Sequence, residues 1–167
     1  MDVDTSLVAD TDVDSGPALG VDARLAREVL RSCVCSRTRM LDRLLTCVYD
    51  EALDPIGLRA TQLTMLALIG SMDGLRAVDV GHFLEMDKST VSRGLALLRD
   101  RGWVEETDSV ERRGRTLALT AEGAALLSDA MPLWRAAGEE AEKLLGRPGV
   151  EALRGTADAF LARRARS

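Results

Sequence analysis

Aromatic side chains are only 3% of the 167 residues, histidine occurs once at His82, and lysine occurs only at Lys88 and Lys143. So few rings leave little to stack on bases or sugars, and they point to an aliphatic helical core. One histidine removes most acid/base dyads, and no Gly-rich phosphate loop, GxSxG, HxxxH or CxxxH pattern is present. No catalytic residue, metal site or cofactor is therefore expected. Three cysteines without CxxC spacing argue against both a disulfide scaffold and a zinc ribbon. No stretch reaches 18 apolar residues, which excludes a helical membrane span. The first residues also show no basic start followed by an apolar run, so a cytoplasmic chain is expected.

What is present begins with charge. The formal net charge is −5, but residues 1–22 hold six acids (Asp2, Asp4, Asp10, Asp12, Asp14, Asp22) and no base. The remainder carries 22 basic and 21 acidic residues, a net +1. Acidity thus belongs to a tail over 1–21 rich in Asp, Ser, Thr and Gly, for which no fold is expected. Nucleic acid remains open as a partner of the body.

Apolar residues at three- and four-residue steps (Leu25, Val29, Leu30, Val34, Met40, Leu41, Leu44, Leu45, Val48) predict one long helix from an Asp22 cap to about Leu53, ended by Pro55 and Gly57. A second helix is expected from about Thr61, with Leu63, Leu66, Ala67 and Ile69 inward, and a third from Arg76 to Leu84. Asp87 can cap a fourth helix over 88–101 that Gly102 closes, with Val91, Leu95, Leu97 and Leu98 facing the core. The period then changes: Trp103–Thr107 and Arg115–Thr120 read as two strands around an Asp/Arg/Gly-rich turn. Thr120 can cap a long helix to about Leu145, kinked at Pro132, and Gly146–Gly149 separates it from a terminal helix over 150–164.

Short helix, tight turn, second helix and basic hairpin is the order of a winged helix-turn-helix. The fold class expected is mainly α with a small β-hairpin wing: a winged helix-turn-helix over 57–119 and a helical dimerisation hub from 22–56 and 120–164. The fourth helix begins with Lys88, Ser89, Thr90, Ser92 and Arg93, short hydroxyls and one guanidinium fork that can meet base edges or phosphates in a major groove. At the hairpin, Arg112, Arg113 and Arg115 suit a narrow minor groove. From Lys88 to Arg115 there are seven bases and five acids, too little charge to act strongly outside a dimer. A Ser/Thr-rich first turn alone is also what a capping region looks like. Both features in this order point to double-stranded DNA.

Five pieces in fixed order resemble the multiple-antibiotic-resistance regulator (MarR) family of bacterial transcription factors: Tyr49–Leu53, Gly57–Leu63, Ser89–Arg93, Arg101–Val104, and Glu111–Gly114 running through Leu119–Gly123. The resemblance covers roughly Leu25 to Leu161. It implies a homodimer and a pseudo-palindromic operator, with helix 88–101 in the major groove and wing 108–115 in the minor groove. It also implies a repressor released by a small aromatic or lipophilic effector in the crevice between hub and winged helix. Ser89, Thr90, Ser92 and Arg93 fall at its recognition-helix positions, and Arg113 at its wing-tip arginine. Glu111 stands where the family usually has an Asp that pairs with a neighbouring arginine to brace the wing.

Cys33, Cys35 and Cys47 all fall on the first predicted helix, Cys33 and Cys47 about 21 Å apart at roughly 1.5 Å per residue. An intact helix forbids a disulfide among them within one chain, while a bridge between subunits stays open if this helix lines a dimer interface; the plain expectation is small buried core residues. The alternative is a thiol-based redox or metal-responsive regulator, with Arg31, Arg37 and Arg39 lowering a thiol pKa. A helical protein-interaction module whose wing never meets DNA is the rival of another class.

Overall fold

The computed structural model describes residues 23–109 and 114–164. The chain divides into two units, one ending at Leu41 and one starting at Asp42. The helices are α1 (Ala23–Ser32), α2 (Val34–Leu53), α3 (Ala60–Ser71), α4 (Ala77–Leu84), α5 (Lys88–Asp100) and α6 (Ala121–Arg164), with strands β1 (Val104–Ser109) and β2 (Gly114–Leu119) between α5 and α6. This is the mainly helical chain with a two-stranded hairpin that the sequence predicts.

In the first unit, the single helix expected over 22–53 is interrupted at Cys33. Ser32, Cys33, Val34, Cys35 and Ser36 are five consecutive weak helix formers, which periodicity alone does not register. The backbone ladder still runs past the break: the Cys33 N–H donates to the Val29 carbonyl and the Arg37 N–H to the Cys33 carbonyl, each at 3.0 Å. Leu25, Val29, Leu30, Val34 and Met40 are all more than half exposed. The expected Asp22 cap lies outside the described residues.

In the second unit, α2 ends in a short 3-10 turn over Asp54–Ile56, and Gly57 closes it at φ 66°, a left-handed value that glycine adopts without a Cβ clash. The core draws on every following element: Leu53, Leu58, Leu63, Leu66, Ile69, Leu75, Val80, Val91, Leu95, Leu98, Val104, Leu117 and Ala130 are all buried. β1 and β2 pair antiparallel from Val104↔Leu119 to Ser109↔Gly114. The Leu117 N–H also donates to the Leu75 carbonyl at 2.7 Å, which fastens the hairpin to the α3–α4 connection.

Two expectations for the core change. Leu97 is 41% exposed, because Val91, Leu95 and Leu98 share one helical stripe at steps of four and three while Leu97 lies off it. Ala67 is exposed on α3. In α6 the backbone stays helical through Pro132, and its interruption is at Gly146 (φ 69°, ψ 152°). The separation predicted between helices over 120–145 and 150–164 is thus present, as a break at Gly146, where glycine permits a positive φ.

α6 starts against the α5–β1 junction. The Thr120 hydroxyl accepts from the Gly123 N–H at 3.0 Å and donates to the Gly102 carbonyl at 2.6 Å, while the Thr120 N–H donates to the Trp103 carbonyl at 3.1 Å. One residue caps the helix and fastens it to the preceding loop.

Candidate nucleic-acid interface

The pair α4–α5 is shaped by local chemistry at both ends of its turn. The Arg76 N–H and guanidinium bind the Asp79 carboxylate at 3.0 and 3.1 Å, which starts α4. Glu85 closes it in the left-handed region at φ 53°, and the Met86 N–H returns to the Gly81 carbonyl at 3.0 Å. A Cβ on Gly81 would stand 3.1 Å from the Met86 carbonyl oxygen and 3.3 Å from Val91 Cγ2, so the tight turn needs a small residue there. On the inner side of α5, a Cβ on Gly94 would stand 2.8 Å from Met65 Sδ, which marks how closely α5 lies on α3.

At the start of α5, Asp87 caps the helix as the sequence predicts. Its Oδ1 accepts from the Ser89 and Thr90 N–H groups, each at 2.9 Å, and from the Ser89 hydroxyl at 2.6 Å. Its Oδ2 accepts from the Thr90 hydroxyl at 2.8 Å. These bonds, the Ser89 hydroxyl first and then the Thr90 N–H and hydroxyl, hold the Asp87 carboxyl far below the usual carboxylate range. Lys88, Ser89, Ser92 and Arg93 are exposed and Thr90 is half-buried, so the structure gathers these five residues at the solvent-facing start of one helix. Arg93 Nη2 donates to Thr90 Oγ1 at 3.4 Å.

On the hairpin, Arg115 is exposed and donates to Glu106 at 2.8 Å. Glu106 also binds Arg99 of α5, so a single carboxylate joins the end of α5 to both strands. Glu106, and not only the Glu111 that the resemblance points to, is a bracing carboxylate of the hairpin. The signal lay in strand alternation, which puts Glu106 and Asp108 on one face of β1, but the arrival of Arg99 is a tertiary fact. Thr107 and Thr116 pair through their hydroxyls at 3.1 Å, and Thr116, buried in the sheet, donates to the Thr107 carbonyl. Arg101 lies over the Trp103 ring at 5.5 Å. Arg112, Arg113 and Glu111 lie outside the described residues.

The cysteines are not the buried core residues expected: Cys33 is half-buried, and Cys35 and Cys47 are exposed. The Cys47 thiol donates to Glu51 at 3.4 Å, and that hydrogen bond followed by the carboxylate's charge pushes its pKa up, opposite to what a reactive thiol needs. His82 is exposed, stacked edge-on against Phe83, with Arg164 Nη2 3.2 Å from its Nδ1. Arg164 also pairs with Glu85. Among the described residues no cluster of His, Cys, Asp or Glu could hold a metal ion, and no helix is long and apolar enough to cross a membrane.

Behind the winged helix, a cavity of about 460 Å³ opens between α2, α3 and α6. Tyr49, Leu63, Thr64, Leu127, Met131 and Trp134 line it with Ala60 and Ala67, and none of them carries a formal charge.

This architecture has relatives. A family model described as MarR family matches residues 56–114. The transcriptional regulator MosR of M. tuberculosis is 31% identical, with a TM-score of 0.68 over 81% of this chain and 98% of that one. MosR solved in complex with DNA is 32% identical, with a TM-score of 0.67 over 80% of this chain and 98% of that one. A mutant E. coli MarR complexed with operator DNA shares the fold at 23% identity, with a TM-score of 0.69 over 80% and 97% of the two chains. Among curated proteins, an uncharacterized HTH-type transcriptional regulator of Bacillus subtilis, YwoH, is 26% identical over 80 residues. That match spans 48% of this chain and 58% of YwoH. With the ordered motifs, the capped α5, the hairpin and these likenesses in agreement, the chain belongs to the MarR family of winged helix-turn-helix transcriptional regulators.

Proposed function

We propose that this protein is a homodimeric, cytoplasmic repressor that binds a pseudo-palindromic DNA operator and is released by a small lipophilic effector. The observation that carries the reading is the solvent-facing start of α5, where Lys88, Ser89, Thr90, Ser92 and Arg93 are displayed together while Val91, Leu95 and Leu98 anchor the helix in the core. Such a face enters a major groove, where Arg93 suits guanine and the hydroxyls suit base edges. Arg115, with Arg112 and Arg113, takes the minor groove beside it. The similarity to MosR, a regulator solved with DNA, supports the same partner.

Dimerisation is supported by the apolar positions on α1 (Leu25, Val29, Leu30) and, separately, on the last turns of α6 (Leu153, Phe160, Leu161), which are exposed in the single chain. Such surface is normally covered in solution by a partner. A two-fold dimer presents two recognition helices to successive major grooves about 34 Å apart. The cavity supports the effector reading, since its volume falls in the range of ligand pockets. Its uncharged lining favours a neutral lipophilic ring over an aromatic anion. The raised thiol pKa speaks against Cys47 as a sensor.

Operator selection from random duplexes, followed by titration at several salt concentrations, tests this function. A specific site should emerge with a dissociation constant of roughly 10⁻⁸ to 10⁻¹¹ M and a steep loss of affinity as salt rises. Neutral aromatic compounds should raise the melting temperature and abolish operator binding. Selection that enriches no sequence, with affinity indifferent to salt, would leave a protein-interaction module instead.

A further inference from the structure

The two hydroxyls at the start of α5 are not free rotors. Asp87 is acceptor-only when ionised, so the Ser89 hydroxyl at 2.6 Å and the Thr90 hydroxyl at 2.8 Å must both be donating to it. Each hydroxyl has one proton, and in both it is turned inward. What Ser89 and Thr90 present outward is lone pairs alone. The guanidinium of Arg93 agrees with that polarity, since its Nη2 donates to Thr90 Oγ1 at 3.4 Å and so uses one of that oxygen's lone pairs, leaving the other to accept. Phosphate oxygens, which accept, find no donor in these two hydroxyls while the network holds. A base edge carrying an amino group does find an acceptor.

We infer that Asp87 is a positioning residue that sets the hydrogen-bonding polarity of the recognition helix, so that Ser89 and Thr90 read amino-bearing bases and Arg93 reads guanine. The amino-bearing edges of the major groove are cytosine N4 and adenine N6, and the complementary guanine offers O6 and N7 to the arginine fork. This rests on the DNA-binding function proposed above and adds to it which base chemistry each position selects. Helix capping alone would require only that Asp87 accept from the Ser89 and Thr90 N–H groups. The two further bonds to the hydroxyls reach beyond that requirement.

The conservative variant Asp87→Asn separates the roles. Its carbonyl oxygen still accepts from the backbone N–H groups, but its amide nitrogen donates where Oδ2 accepted, which turns the Thr90 proton outward. Operator selection with the full-length wild type, Asp87→Asn and Thr90→Val should be read position by position, with circular dichroism and melting curves for each protein. Wild type should favour cytosine or adenine at the base facing Thr90 by roughly five- to 150-fold, the usual span for one mismatched pair. Asp87→Asn should fold and shift that one preference toward thymine or guanine, whose O4 or O6 accepts. Thr90→Val should lose discrimination there and keep it elsewhere. If Asp87→Asn does not fold, Thr90→Val decides: unchanged discrimination overturns the inference. An operator enriched by wild type and read identically by both variants also overturns it while leaving DNA binding intact. No enriched operator for wild type overturns the underlying function and this inference with it.

Discussion

The same substitution, glycine to alanine in α6, should have opposite effects at Gly123 and Gly155. An added Cβ at Gly123 would overlap the Trp103 carbonyl oxygen and sit 2.9 Å from its carbon and 3.2 Å from its Cα. These are backbone atoms, and the Trp103 carbonyl is held by the Thr120 N–H, so no side chain can swing aside. Overpacking of this kind costs about 1–3 kcal/mol. With an immovable neighbour the upper end applies, offset by the ~1 kcal/mol that alanine gains over glycine in a helix. The net is a loss of about 2 kcal/mol, which for a chain of this size lowers the melting temperature by roughly 4–8 °C. At Gly155 an added Cβ meets nothing within 4 Å, so alanine should raise the melting temperature by roughly 2–4 °C. Calorimetry at one fixed protein concentration measures both, since any self-association makes the melting point depend on concentration. A Gly123→Ala protein as stable as the wild type, or a Gly155→Ala protein destabilised to the same extent, would refute the close approach of α6 to the α5–β1 junction.

Three further outcomes can be measured. Thr120→Ala removes the acceptor of the Gly123 N–H and the donor to the Gly102 carbonyl, and should cost about 1–2 kcal/mol in urea melts, with Thr120→Ser restoring most of it. Glu106→Gln leaves Arg99 and Arg115 without their shared carboxylate; exposed pairs are worth little, so stability should fall by at most about 1 kcal/mol while non-specific DNA affinity rises and its salt dependence steepens. Asp87 has a folded pKa depressed below its unfolded one, so its contribution is fully present above the unfolded value near 3.9 and is lost as pH falls toward the folded one. The stability gap between wild type and Asp87→Asn should therefore stay constant from neutral pH to about 4 and shrink only below it.

The parts of the fold legible in the sequence are those whose causes are local. Asp87 two residues before Ser89, Thr120 three before Gly123, and Gly57 and Gly102 after helical runs each act within one turn, and each does what its spacing predicts. Leu97 is not legible in this way, because an apolar residue inside an amphipathic run reads as core until the stripe's direction is known. The break at Cys33 is hidden in the sequence because the apolar periodicity continues across it.

By itself the sequence determined the order of elements, the capped start of α5 with its five polar residues, and the hairpin, since hydrophobic period, caps and turn residues operate over a few positions. Only the tertiary structure decided that Glu106 joins Arg99 to Arg115, that Gly123 must clear Trp103, and that Tyr49 and Trp134 border one uncharged cavity. Each of those depends on residues brought together from separate elements by packing of the core, and no local pattern encodes such a distance.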